Sequence, residues 1–262
     1  MPIAKLRDAR LHYRIDGDAG SQPLLLSNSL GASLEMWEPQ MPTLAARFQV
    51  VRYDSRGHGQ SEVTRGPYSI EQLAGDALEL LDTLSIPRAH VCGLSMGGMV
   101  AMWIGINEPA RVDRLVLANT AAKIGTAEMW NARIDAVRKG GTAAIAPGVL
   151  ARWFTSQLLD QPTPMIAQMR ATFERISPEG YAASCAAVRD MDLRRTLARI
   201  HAPTLVIAGT DDLSTPRADA QFTAGQIAGA RYVELQAPHL SNVQAAPAFT
   251  EAVVQFLSGR ME

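Results

Sequence analysis

The chain has 262 residues, 47% hydrophobic and 19% charged, enough for one large domain or for a core carrying an inserted subdomain. A net charge of −1 excludes a global pull toward nucleic acid or acidic membranes, so any preference for an anionic ligand must come from a local site. Two cysteines, Cys92 and Cys185, exclude a disulfide framework; the lack of a signal-like N-terminal stretch or bilayer-length apolar run predicts a soluble, cytoplasmic protein.

Lys5 to Ile15 alternates loosely and predicts a pair of short strands, ended by the turn residues Asp16-Gly17-Asp18-Ala19-Gly20. Leu24-Leu25-Leu26 is a continuous apolar run, as expected of a strand covered on both faces. Trp37 to Phe48 has helical spacing, and Gln49 to Tyr53 is another apolar run, ending in Asp54-Ser55-Arg56-Gly57-His58-Gly59. Ile70 to Leu84 predicts an amphipathic helix, with Leu73, Ala77, Leu80, Leu81 and Leu84 in one stripe. Ala89 to Cys92 reads as a buried strand, Met99 to Ile106 as a helix, and Leu115 to Ala118 as a further strand.

From about Ala121 to Arg199 the pattern changes. Four or five short helical segments are expected, with breaks at Gly140-Gly141, Pro147-Gly148, Pro162-x-Pro164 and Pro178. Strand patterns return at Leu205 to Ala208 and Arg231 to Leu235, and Ala245 to Leu257 reads as a closing helix. Strands alternating with helices predict an α/β fold, a mostly parallel sheet with helices on both faces. The helical insertion, 122–199, is expected to form a cap over a core built from 1–121 and 200–262. No internal repeat or low-complexity tract interrupts the chain.

Between the Ala89–Cys92 strand and the following helix lies Gly93-Leu94-Ser95-Met96-Gly97, the G-x-S-x-G pattern of a nucleophile elbow. A strand turning at once into a helix forces its central residue into a strained conformation. Side chains two positions to either side would strike neighbouring backbone, which accounts for Gly93 and Gly97. Ser95 then projects at a helix N-terminus, whose dipole favours developing negative charge.

A serine so placed needs a base and a residue to orient it, in the chain order Ser, Asp or Glu, His. Asp211 or Asp212 follows the Leu205–Ala208 strand, and His239 follows the Arg231–Leu235 strand. Both emerge at carboxyl ends of strands, where open α/β sheets place ligands. Of the other histidines, His12 and His90 lie in strand patterns and His201 before Pro203, all read as structural or exposed. His58, in a Gly-rich loop, is either structural or pocket-lining. The oxyanion hole is expected from the backbone N–H of Met96 and from the loop Asn28-Ser29-Leu30-Gly31, whose turn aims the N–H of Leu30.

These motifs resemble the α/β-hydrolase superfamily over essentially the whole chain. Asp54 to Ser61 is similar to its D-x-R-G-x-G-x-S turn, and Gly209 to Pro216 to its G-x-x-D-x-x-x-P acid loop, which selects Asp212 over Asp211. Asn28-Ser29 stands where that family usually has His-Gly. Ser27 to Gly31, Cys92 to Gly98, Asn119 to Gly125 with Met129-Trp130, and His239 to Val243 together resemble the enol-lactonase branch. The resemblance implies hydrolysis of 3-oxoadipate enol-lactone to 3-oxoadipate, a small anionic substrate, with catalytic Ser95, Asp212 and His239 and no metal or organic cofactor. Other cap-bearing carboxylesterases, carbon–carbon hydrolases of ring-cleavage products and a ligand receptor on the same fold are the alternatives. Elbow serine disfavours epoxide hydrolases and haloalkane dehalogenases, whose elbows carry Asp.

A substrate carboxylate calls for a cation. On a helix from about Thr126 to Lys139, Trp130, Ile134 and Val137 form the apolar stripe, and Arg133 falls on its less polar flank beside Met129. Arg133 either faces the site or snorkels or pairs with a core carboxylate. Lys123, at the entry to the cap, is a second choice, and Trp130 and Trp153 either line the pocket or belong to the core.

Overall fold

The computed structural model describes residues 2–259; Met1 and Arg260 to Glu262, the ends of the expected core segments, lie outside the described residues. Eight strands form one sheet: β1 (Ile3–Lys5), β2 (Arg10–Asp16), β3 (Pro23–Ser27), β4 (Gln49–Tyr53), β5 (Ala89–Leu94), β6 (Val112–Ala118), β7 (Thr204–Gly209) and β8 (Arg231–Leu235). Their spatial order is β1-β2-β4-β3-β5-β6-β7-β8. Pairing is antiparallel across β1, β2 and β4 and parallel from β4 to β8.

The central strands are buried on both faces because they carry the apolar runs; β5 and β7 are buried at every position. Their register aligns the carboxyl ends, with Ser27 opposite Gly93, Leu94 opposite Ala118 and Gly209 opposite Leu235. The loops carrying Leu30, Ser95, Asp212 and His239 therefore leave one edge of the sheet. The chain crosses from β4 on one side of β3 to β5 on the other, which makes that edge a topological switch point.

The Trp37–Phe48 segment differs from a single expected helix. It forms a 3-10 turn over Leu34–Gln40 followed by the short helix α1 (Met41–Leu44). Pro39 and Pro42, lacking N–H groups, interrupt the hydrogen-bond ladder that a continuous helix needs. Helix α2 (Ile70–Thr83) starts at Ser69, whose side chain accepts from the Gln72 N–H at 3.0 Å. Helix α3 (Met96–Asn107) is apolar all round and sits inside the molecule.

Four helices fill the interval between β6 and β7, with no strand among the described residues: α4 (Ala127–Trp153), α5 (Ser156–Asp160), α6 (Pro164–Glu174) and α7 (Pro178–Asp190). Proline opens α6 and α7, where its missing N–H costs nothing. In α4 the break falls at Gly141, whose φ of 74° and ψ of 174° leave the helical region. Pro147-Gly148, an expected break, lies inside the second half instead. The fold closes with α8 (Arg217–Gln226), α9 (Ser241–Gln244) and α10 (Ala246–Leu257). No helix among the described residues is long and apolar enough to cross a membrane.

Candidate active site

Strand β5 delivers Ser95 at φ 57° and ψ −116°, a conformation that L-residues rarely adopt. The turn is enforced from both sides. A Cβ on Gly93 would overlap the carbonyl of Gly97, and one on Gly97 would overlap the carbonyl of Ser27. Ser95 N–H donates to the Ala118 carbonyl at 3.0 Å, and the Thr120 hydroxyl donates to the Ser95 carbonyl at 2.7 Å, so the end of β6 holds the elbow.

Ser95 Oγ lies 2.9 Å from His239 Nε2, and His239 Nδ1 lies 2.8 Å from Asp212 Oδ2. An ionised Asp212 can only accept, which puts the His239 proton on Nδ1 and leaves the Nε2 lone pair facing the serine hydroxyl. Asp212 Oδ2 also accepts from Asn119 Nδ2 at 3.0 Å and Thr215 Oγ1 at 2.7 Å, while Oδ1 takes the Ser214 and Thr215 N–H groups. Burial pushes this carboxyl up, but electrostatic attraction to the His239 ring and the hydrogen bonds from His239, Thr215 and Asn119 outweigh it and bring its pKa to about 2. Asp211 is exposed and takes no part in this network among the described residues.

Asn119 has φ 44°, unusual for a non-glycine residue, and its amide is oriented by the Ser241 hydroxyl, which donates to Oδ1 at 2.5 Å. That contact leaves Nδ2 aimed at Asp212. Asn119 opens one of the stretches that carry the family resemblance, but nothing in its local sequence marks this role.

The loop after β3 can be accounted for donor by donor. Ser29 N–H faces Met36 Sδ at 3.4 Å, Gly31 N–H donates to His58 Nε2 at 3.0 Å, and Ala32 N–H to the Ser29 carbonyl at 3.1 Å. Leu30 N–H has no such partner among the described residues. Met96, the first residue of α3, carries an N–H of the kind a helix start leaves unsatisfied. Leu30, Ser95, Met96 and His239 all line one cavity of about 310 Å³.

His58 is buried, and burial pulls its pKa down. The neutral ring accepts from Gly31 at Nε2, so Nδ1 carries the proton, 3.3 Å from the Arg56 carbonyl. Of its two readings the structural one holds: His58 stands behind the Asn28–Gly31 loop and accepts from its Gly31 N–H, outside the lining of the cavity. His12 is buried rather than exposed, 2.7 Å from Asp54. Asn28 is buried between Trp37 Nε1 and the Tyr53 carbonyl, at 2.8 and 2.7 Å.

Arg133 and Trp130 line the cavity, the guanidinium 4.9 Å from the indole centroid. Trp130 Nε1 donates to the Ile124 carbonyl at 2.7 Å, and Trp153 is both buried and pocket-lining. Lys123 does not join them. Its ammonium donates at 2.8 Å to the carbonyl of Arg189 in the last turn of α7, a group without an intrahelical acceptor role to fill. Arg152, Tyr181 and Asp219 also line the cavity, and nothing in the local sequence marks them.

The sheet order and the serine elbow at its carboxyl edge define an α/β-hydrolase fold, and residues 22–140 match the family model described as alpha/beta hydrolase fold. Over 94% of its length the chain is 42% identical to 3-oxoadipate enol-lactonase 2 of Acinetobacter baylyi, covering 92% of that protein. It is 39% identical to 3-oxoadipate enol-lactonase 1 of the same organism, covering 98% of this chain and 95% of the relative. The crystal structure of the enol-lactonase from Burkholderia xenovorans LB400 superposes with a TM-score of 0.97 at 47% identity, over 98% of this chain and 100% of that one. The chain belongs to the 3-oxoadipate enol-lactonase family of α/β hydrolases.

Proposed function

We propose that the chain opens the lactone ring of 3-oxoadipate enol-lactone to give 3-oxoadipate, in the breakdown of aromatic compounds in the cytoplasm. The observation that carries this reading is the unbroken chain from Ser95 Oγ through His239 to Asp212, at 2.9 and 2.8 Å, facing a cavity that holds Arg133. The family membership supports the substrate.

In this mechanism Ser95 attacks the lactone carbonyl while His239 Nε2 takes its proton. Asp212 keeps the imidazole in the productive tautomer and stabilises the imidazolium. The tetrahedral oxyanion sits between the N–H groups of Leu30 and Met96, each donor worth roughly 2.7–4 kcal/mol. Collapse breaks the ring C–O bond and expels an enolate, a better leaving group than an alkoxide. The enolate takes the proton from His239 and ends as the ketone. Water, deprotonated by His239, then cleaves the Ser95 ester, and the proton returns to Ser95 Oγ as the new carboxylate leaves. Segment 122–199 serves as the cap that covers this chemistry and supplies Arg133 and Trp130.

The test is loss of the enol-lactone, generated in situ, with wild type beside Ser95→Ala and His239→Ala. Turnover much faster than on a neutral p-nitrophenyl ester, and abolished in both variants, is expected. Esterase activity without lactone turnover would discard the substrate; binding with no hydrolysis of either would point to a receptor.

A further inference from the structure

Arg133 is not the only guanidinium in the cavity. Arg152, in the last turn of α4, lines it as well. The break at Gly141 lets the two halves of one helical stretch turn toward the same space. Neither arginine forms an ion pair with a carboxylate among the described residues: Arg133 lies over the Trp130 ring and hydrogen-bonds the Tyr181 hydroxyl, and Arg152 reaches the Gly148 carbonyl at 3.5 Å. Burial pushes the Tyr181 phenol up, and the charges of both arginines act against that rise, which places both near one hydroxyl of the cavity wall.

The two differ in where they are anchored. The carbonyls of Arg152 and Trp153 accept the N–H groups of His239 and Leu240 at 3.3 and 3.2 Å. The backbone of Arg152 is thus tied to the residue that serves Ser95. Arg133 stands among Trp130, Met129 and Ile124 of the cavity lining. The one carboxylate lining the cavity among the described residues is Asp219, half-buried, pushed up by burial and by the charge of Asp212. Two cations and one weakened acid line the same cavity, which is more positive charge than a ligand with a single carboxylate needs.

Hydrolysis of the proposed lactone supplies the second anion. Breaking the ring C–O bond and then the Ser95 ester leaves a carboxylate on the carbon that Ser95 attacked, at the opposite end from the carboxylate the substrate brings. We infer that Arg152 is the second half of a dicarboxylate site: Arg133 takes the substrate's own carboxylate, Arg152 the one that hydrolysis makes. The cavity therefore binds linear α,ω-dicarboxylates of six carbons in preference to monocarboxylates, through charge-assisted hydrogen bonds that guanidinium groups form in pairs with carboxylates. The assignment of the two ends rests on the proposed function; the dicarboxylate preference is measured without turnover.

Adipate and hexanoate, titrated calorimetrically into wild type, Arg152→Ala, Arg152→Lys and Arg133→Ala at low ionic strength, decide the matter. Wild type is expected to bind adipate about tenfold more tightly than hexanoate. Arg152→Ala should bring the two affinities to about the same value by weakening adipate alone, and Arg152→Lys should restore part of the difference. Arg133→Ala should weaken both. Equal affinities in wild type, no measurable adipate binding, or a preference that survives Arg152→Ala would overturn the proposal. Lactone turnover measured on the same preparations keeps the two readings apart: adipate preference without ring opening would sink the proposed function and leave the dicarboxylate site standing.

Discussion

Asp212 receives five hydrogen bonds, three of them on the oxygen that faces His239. Its pKa, brought from 3.8 to about 2, means that the folded state prefers the carboxylate more strongly than the unfolded chain does. The resulting stabilisation is complete above about pH 4 and disappears as pH falls through about 2, a difference of about 2 kcal/mol. Urea unfolding should show the gap between wild type and Asp212→Asn in full at pH 5 and shrinking by roughly that amount toward pH 2. A pH-independent gap would contradict this assignment. Arg133→Ala should raise KM for the anionic lactone and spare a neutral ester. Equal losses on both substrates would remove Arg133 from carboxylate recognition. His58 acts one step back. Without its Nε2 the Gly31 N–H loses its acceptor and the Asn28–Gly31 loop, the proposed oxyanion donor, relaxes, so His58→Ala should lower kcat by about 10- to 100-fold with little change in KM. His58→Gln, which offers an acceptor at similar reach, should recover part of it. Unchanged kcat in His58→Ala would dismiss the bracing role.

Among the elements, α4 shows how a single residue shapes a site. Gly141 adopts φ 74° with open space around the position of a Cβ, so the cost of a side chain there is conformational alone. Gly141→Ala should therefore destabilise by about 2 kcal/mol, a Tm loss of about 4–8 °C, without a packing clash. A much larger loss in the thermal melt would mean that the bend is held by more than its backbone conformation. The breaks expected in this region were legible as Gly and Pro positions, yet only tertiary packing sorted them. Pro164 and Pro178 open helices, Gly141 bends one, and Pro147 is carried inside. The helical spacing of Trp37 to Phe48 was likewise legible, while the division into a 3-10 turn at Leu34–Gln40 and a short helix follows from Pro39 and Pro42.

At the scale of the molecule, the helical segment is fastened to the His239 loop at one corner. Thr155 N–H donates to Gln244 Oε1 at 3.0 Å, and Gln244 Nε2 donates to Thr155 Oγ1 at 2.9 Å. The His239 and Leu240 N–H groups complete the junction on the Arg152 and Trp153 carbonyls. Gln244→Ala should loosen that corner, with faster limited proteolysis between α4 and α6 and a lower kcat; proteolysis at the wild-type rate would show the junction to be held elsewhere.

The sequence by itself determined what depends on neighbours along the chain. The apolar runs became strands, the Ile70 stripe became an amphipathic face, and the glycine spacing around Ser95 became the strained elbow, because strand burial, helical period and close approach act over a few residues. The chain order of Ser95, Asp212 and His239 was legible for the same reason, each lying just beyond a recognisable strand. Tertiary structure decided what joins distant segments. It brought His58 behind Gly31, turned Asn119 toward Asp212 through Ser241, gave Lys123 to the Arg189 carbonyl and brought Arg152 and Arg133 to the lining of one cavity. Those outcomes depend on sheet register and on the path of the helical segment. A hydrogen-bond partner tens of residues away leaves no period or spacing in the chain from which it can be read.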